Sequence, residues 1–301
     1  MTAQTRPARR LHLAGILLLA VLWGLNWPAV KVALGEIPPW SLRAIGLTGG
    51  ALTLVAAALL RGQRLTVARR EILPLLTAGL LTIAGFNILL AFAQLHASTS
   101  RAVIVTFTMP MWTVVFARLL LDEPADRQRL IGIVLGLCGL SALALPLIAA
   151  GEFGIGLFYA LFGGISWALG NVVIRRWPVT APALTVAAWQ LLTGAACAAL
   201  GMLLFEGLPD LHDLHAPTLW AMAYHVVLAL AVAYLLWFAI LPHVPVGVAS
   251  LGTLLVPAIG VLGAMFILGE QPSSADYVGL ALVTLAALSI LLPARRLPNR
   301  S

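Results

Sequence analysis

Apolar positions in this chain fall in long unbroken runs, without the alternation of a half-buried strand or the narrow stripe of a soluble amphipathic helix. A helix of about 20 apolar residues crosses a bilayer. Ten such spans are predicted, at about 12–34, 40–60, 72–94, 99–121, 130–149, 155–174, 182–205, 217–241, 246–268 and 275–293. The connections are short and leave no room for a soluble domain. The longest, Glu206–Pro217, carries Glu206, Asp210, His212, Asp213 and His215 and is expected to be solvated. A basic start (Arg6, Arg9, Arg10) precedes the first run, as in a secretory signal peptide. That run continues through Trp23, Trp27 and Lys31 with no small-residue cleavage site, so an uncleaved first helix is expected.

The polar punctuation repeats. Pro110 to Pro257, Glu123 to Glu270 and Gly132 to Gly279 are each 147 residues apart. Arg43 then aligns with Gln190, Asn87 with Tyr234 and Ala102 with Ala249, while Trp23 aligns with Trp167 and Lys31 with Arg175 at an offset of 144. Each half, 1–150 and 151–301, holds an odd number of predicted spans, so the halves are expected to run in opposite directions. Inverted repeats of this kind build carriers that expose a midplane site to each side in turn. The predicted fold class is an all-α membrane protein, ten transmembrane helices in two inverted five-helix repeats around a central cavity.

Composition agrees. The chain has 301 residues, 61% hydrophobic and only 10% charged, against about 25% charged in soluble domains. A net charge of +7 would suggest nucleic acid in a soluble chain. Here the arginines flank the apolar runs, so no nucleic-acid partner is expected and the charge instead sets orientation. With the N-terminus cytoplasmic, Arg6, Arg9, Arg10, Arg61, Arg64, Arg69, Arg70, Arg118, Arg127, Arg129, Arg175, Arg176, Arg295, Arg296 and Arg300 lie inside. Only Lys31, Arg43 and Arg101 then face outward, so both termini are expected in the cytoplasm of a bacterial cell, below its inner membrane.

Trp23-Gly24 with Lys31, Arg43 after Pro39, and the Pro110…Asp122-Glu123-Pro124 and Pro257…Gly269-Glu270-Gln271-Pro272 frames resemble the EamA family of the drug/metabolite transporter superfamily. The resemblance spans the whole chain in two copies. In length and span count it is closest to the aromatic amino acid exporters of that family. It implies a basket of helices lined by the first, third, fourth, sixth, eighth and ninth spans, with the fifth and tenth at the periphery. It also implies export of neutral or aromatic amino acids or similar small metabolites. Multidrug or nucleoside export, or lipid translocation, are the alternatives.

Candidate site residues follow from depth. Trp23, Trp112 and Trp167 lie away from the interfacial belt where tryptophans usually gather, and each could offer a flat wall to a substrate. Asn26, Asn87, Asn171, Gln190 and Tyr234 are polar groups inside spans, costly against lipid, so they are expected to face protein or water. Asn87 and Tyr234, as repeat partners, are the foremost candidates for hydrogen-bonding substrate. Interhelical bonding is the competing role, above all for Asn26 and Asn171. Pro110 and Pro257 fall near the middles of their spans. A mid-helix proline removes a hydrogen bond and bends the helix, so both are candidate gating residues or fixed kinks. Lys31 and Arg43 lie near the outer interface, where they could snorkel or attract a substrate carboxylate at the outer mouth. His225 could titrate or simply be hydrogen-bonded.

Several classes lose ground. No acidic residue falls in the middle of a predicted span; Glu123 and Glu270 are at span ends, and Glu36, Glu71, Glu152 and Glu206 are expected in loops. A buried carboxylate is the usual coupling group of a proton antiporter and the usual counter-charge for a cationic drug, so neutral or zwitterionic cargo is favoured. There is no H-E-x-x-H, G-x-S-x-G or nucleotide-binding loop, so no enzyme activity, metal or cofactor is expected. Cys138 and Cys197 sit apart inside apolar runs and are read as structural. Gly132 and Gly136 form a small-residue face suited to helix packing or to dimer contact, and the chain is expected to be a monomer or weak homodimer in the lipid bilayer.

Overall fold

The computed structural model of the chain describes residues 6–124, 126–240 and 254–291. Helix is their only regular secondary structure, as hydrocarbon requires when each backbone group must be satisfied within its own segment. Nine described helices are long and apolar enough to cross a membrane. In chain order they are Ala14–Ala33, Pro39–Leu60, Arg69–His96, Thr99–Leu121, Arg127–Ala149, Ile155–Arg176, Ala183–Glu206, Ala216–Trp237 and Ser274–Leu291. Leu255–Leu268, a shorter apolar helix, is the second part of the expected ninth span; the rest of that span, including Ala249, lies outside the described residues. Large apolar side chains such as Leu60, Leu73, Phe205 and Phe266 are left exposed, a surface that lipid, not water, would cover. Inside, Trp27, Leu90, Val103, Ile104, Leu143 and Val283 pack in one core, and Leu47, Leu54, Ile83, Leu184 and Leu191 in another.

Four spans depart from a straight α-helix: the third, fourth and eighth, and the seventh, whose last turn, Met202–Glu206, is π-helical. The fourth is broken into Thr99–Thr106 and Met109–Leu121. Phe107 and Thr108 form the joint, and the Thr108 hydroxyl donates to the Val105 carbonyl at 2.7 Å. Pro110 therefore differs from expectation. It occupies the first turn of a restarted helix, where a missing N–H breaks nothing, so the break precedes the proline. Pro257 likewise falls in the first turn of Leu255–Leu268 and is buried.

The third and eighth spans instead widen into π-helix, over Leu80–Gly85 and Tyr224–Val232. Shifted by 147, positions 80–85 become 227–232, inside the second segment. A π-segment displaces carbonyls from the α ladder, and at membrane depth these need a donor. The Ser166 hydroxyl donates to the Leu81 carbonyl at 2.7 Å, and the Trp23 indole N–H to the Ala229 carbonyl at 3.2 Å.

The fourth and ninth spans end alike. Asp122 (φ 54°) and Gly269 (φ 68°) are left-handed C-caps. The N–H of Asp122 and of Glu123 both return to the Ala117 carbonyl, and those of Gly269 and Glu270 to the Ala264 carbonyl. Asp122 is the one non-glycine residue with positive φ among the described residues, a position Asp tolerates better than most L residues.

The small-residue face of the fifth span is occupied within the chain. A Cβ at Gly132 would strike Ile290, one at Gly139 would crowd Val283, and one at Gly136 would strike Met111. That face packs on the tenth and fourth spans, the helix-packing role of the two expected for it.

Candidate functional site

The expected constellation separates into parts. Trp23, held by its bond to Ala229, lies edge-on to Tyr234 at 6.1 Å and tilted to Trp237 at 5.7 Å. One turn along, Asn26 accepts a hydrogen bond from His225 Nδ1 at 2.7 Å. Both groups join the first span to the eighth. The Tyr224 hydroxyl donates to the Leu22 carbonyl at 3.0 Å and fixes the two spans side by side.

The other candidates turn back on their own helices. Asn87 donates to the Ile83 carbonyl at 2.9 Å and Asn171 to the Trp167 carbonyl at 2.8 Å. Each then keeps its amide oxygen and one N–H free of partners among the described residues, and both are only half-buried. Trp112 donates to the Thr108 hydroxyl at 3.2 Å, beside the break. Trp167 and Gln190 are half-buried, and the Gln190 backbone lies against Gly79.

Lys31 and Arg43 do not snorkel. The Lys31 ammonium donates to the Gln94 carbonyl, and Gln94 is itself buried, donating to the Trp27 carbonyl at 2.9 Å. Arg43 is 2% exposed. Snorkelling supposes a lone helix in lipid; here the eighth span covers the face of the second that carries Arg43.

At one end of the bundle, carboxylates cap helices far away in sequence. Glu270 accepts from the Thr99 N–H (2.6 Å), the Ser100 N–H (2.9 Å) and the Ser100 hydroxyl (2.6 Å). Glu206 accepts from the Trp40 N–H (2.9 Å), the Ser41 N–H (2.8 Å) and the Ser41 hydroxyl (2.7 Å). Each supplies an N-cap from another span and sets a negative charge against the positive end of a helix dipole. Arg101 pairs with the buried Asp276 at 3.1 Å. Glu36 accepts from the His215 N–H, which holds its carboxyl below the ordinary value of 4.5.

The opposite end is held differently. Glu123 meets Arg175, and Arg129 at 3.5 Å. Glu71 accepts from the Thr180 hydroxyl at 3.0 Å. Glu71 and Glu206, expected in loops, lie in the first turn of the third span and the last turn of the seventh. All eleven acidic residues remain within a turn of a helix end or in a connection. Sequence reasoning missed the trans caps and Ser166, because their partners are more than eighty residues away.

Comparison with known proteins follows the same outline. The model of the EamA-like transporter family matches twice, over residues 11–145 and 154–292. The chain is 23% identical over 261 residues to the Bacillus subtilis protein named "Uncharacterized transporter YoaV", covering 85% of this chain and 88% of that one. It is 26% identical over 278 residues to the "Probable amino-acid metabolite efflux pump" of Salmonella typhimurium, covering 89% and 90%. A solved structure, described only as "Crystal structure of protein", superposes with a TM-score of 0.64 at 26% identity, over 95% of this chain and 99% of that one.

Proposed function

Because the chain belongs to the EamA-like transporter family, we propose that this membrane transporter exports neutral or aromatic amino acids, or similar small metabolites, by alternating access. The observation that carries the reading is the matched pair of corners, Asp122-Glu123 and Gly269-Glu270. Glu270 sits at the first turn of the fourth span, and Glu123 follows the last turn of the same span. Two spans alike in sequence thus place their like ends on opposite faces. This supports the inverted relation of 1–150 and 151–301 and a site between them. The efflux-pump name borne by a relative supports amino acids as the cargo class.

The Glu123 end, rich in arginine, is assigned to the cytoplasm of a bacterial inner membrane, with both termini there. The trans caps of Glu270 and Glu206 then close the outer face. Substrate would enter from the cytoplasm, meet Trp23, Asn26 and Tyr234, with Asn87, Trp112, Trp167, Asn171 and Gln190 as further contacts, and leave when those caps release. The break at Phe107–Thr108, with Pro110 starting the helix beyond it, is the assigned hinge; Pro257 would serve the second half. Cationic drugs are disfavoured because no carboxylate sits at mid-depth to hold them.

The test is counterflow in proteoliposomes. Vesicles are preloaded with one unlabelled amino acid at a time, and uptake of labelled phenylalanine is followed without a pH gradient. Accumulation driven by apolar or aromatic amino acids is expected. No exchange across the panel, with folded protein, refutes amino acids as the cargo.

A further inference from the structure

The second span buries a charge that nothing answers. Arg43 is 2% exposed, its Nε has no hydrogen-bond partner, and no described residue forms an ion pair with it. Four acidic groups at that end are engaged elsewhere. Glu206 is taken up by Trp40 and Ser41, Glu270 by Thr99 and Ser100, Asp276 by Arg101 and Ser273, and Glu36 by His215. A guanidinium cannot shed its proton as lysine can. Taken out of water without a counter-charge, it is a standing cost to the fold, and such a cost inside a membrane marks a functional group.

Its surroundings say what it waits for. Gly46 lies one turn further on the same face of the span, and a Cβ there would come within 2.5 Å of His225 Nε2. The glycine therefore lets the His225 ring settle against the second span, one turn from Arg43. Because the Asn26 amide oxygen can only accept, His225 Nδ1 carries the proton between them. His225 is thereby locked to the first span, and its other nitrogen is buried without a partner. By the rise of 1.5 Å per residue, Arg43 starts about 6 Å, Asn26 about 10 Å and His225 about 14 Å inside their helix ends. Trp23 lies one turn deeper than Asn26 on the first span, and the Tyr234 and Trp237 rings gather around it.

We propose that Arg43 is the counter-charge for a carboxylate on the transported molecule, and that the Trp23–Tyr234–Trp237 cluster takes the apolar part of the same molecule. The inference rests on the carrier reading above and narrows it to substrates with an oxyanion at one end and an apolar body at the other. The guanidinium fork pairs a carboxylate through two parallel N–H bonds.

The test uses purified full-length protein and thermal stabilisation by three probes: phenylalanine, phenylalaninamide and acetate, at constant ionic strength. Wild type is expected to bind phenylalanine about tenfold more tightly than the amide, which lacks the carboxylate. Arg43→Gln should abolish that preference. Without ligand it should melt at or above the wild-type temperature, because an unanswered charge has been removed; an arginine with a purely structural role would give a lower one. If phenylalanine has no effect but acetate stabilises wild type and not Arg43→Gln, the oxyanion site stands and the amino-acid reading falls. Equal binding of acid and amide by wild type with no effect of acetate, or a preference that survives in Arg43→Gln, overturns the proposal. Should Arg43→Gln fail to fold, Arg43→Lys carries the variant arm, with a weakened preference expected, and the wild-type comparison stands by itself.

Discussion

Glu123 and Glu270 are the same residue in two copies of one corner, yet they do different things. Both follow a left-handed cap, and both return their N–H to the carbonyl six residues back. Glu270 then closes on two backbone N–H groups and a hydroxyl at the start of the fourth span. Glu123 instead meets two arginine side chains, one of them half-exposed. The difference lies in the partner and not in the local chain. Charge-assisted bonds to a helix N-terminus are directional and strong, whereas exposed ion pairs are weak and screened. One end is clasped and the other is held loosely.

The comparison can be broken in order of effect. Glu270→Gln removes the charge that answers the helix dipole and should weaken the clasped state by about 2 kcal/mol, roughly thirtyfold in population. Glu123→Gln should change it by less than about 1 kcal/mol. Solvent-accessibility labelling of Thr99→Cys in each background would separate the two, and equal effects would erase the distinction between the ends. Next in size, Trp23→Phe leaves the Ala229 carbonyl of the π-segment without its donor and should cost about 1 kcal/mol in thermal unfolding. Asn87→Ala loses only a bond within its helix and Tyr234→Phe only a hydroxyl, so stability should hold while transport falls. Full transport in both variants would remove them from the site.

Pro110→Ala should be nearly silent in stability and turnover, since the break belongs to Phe107–Thr108; Thr108→Val should slow turnover more. Slow turnover of Pro110→Ala with normal turnover of Thr108→Val would return the hinge to the proline. The smallest effect is the docking of the 206–216 connection. Glu36 has a depressed folded value, so its contribution is full above about pH 4.5 and is lost as pH falls through the lower folded value. Hydrogen exchange in that connection should therefore rise only in acid, and a rise between pH 6 and 8 would contradict the assignment.

Much of this architecture was legible in the chain. Apolar runs gave the spans, and the 147-residue frame aligned Glu123 with Glu270 before any contact was known. The partners were not legible, because Glu270 meets Thr99 across 171 residues and nothing local announces a trans cap. The π-segments carry no residue signature; they are sustained by Ser166 and Trp23 from other spans. Arg43 was misplaced at the interface because a side chain read on a single helix can always reach water. The eighth span, which packs closely on the second at Gly46, Gly49 and Gly50, takes that reach away.

The most direct test of the clasp is a distance across it. Spin labels at Leu95 and Gln271, with Cys138 and Cys197 replaced, would report the separation between the end of the third span and the Glu270 corner in nanodiscs by double electron–electron resonance. Wild type should show a predominant short distance, Glu270→Gln a shift of population to a longer one, and Glu123→Gln no such shift. The same single short distance in wild type and Glu270→Gln would contradict the account.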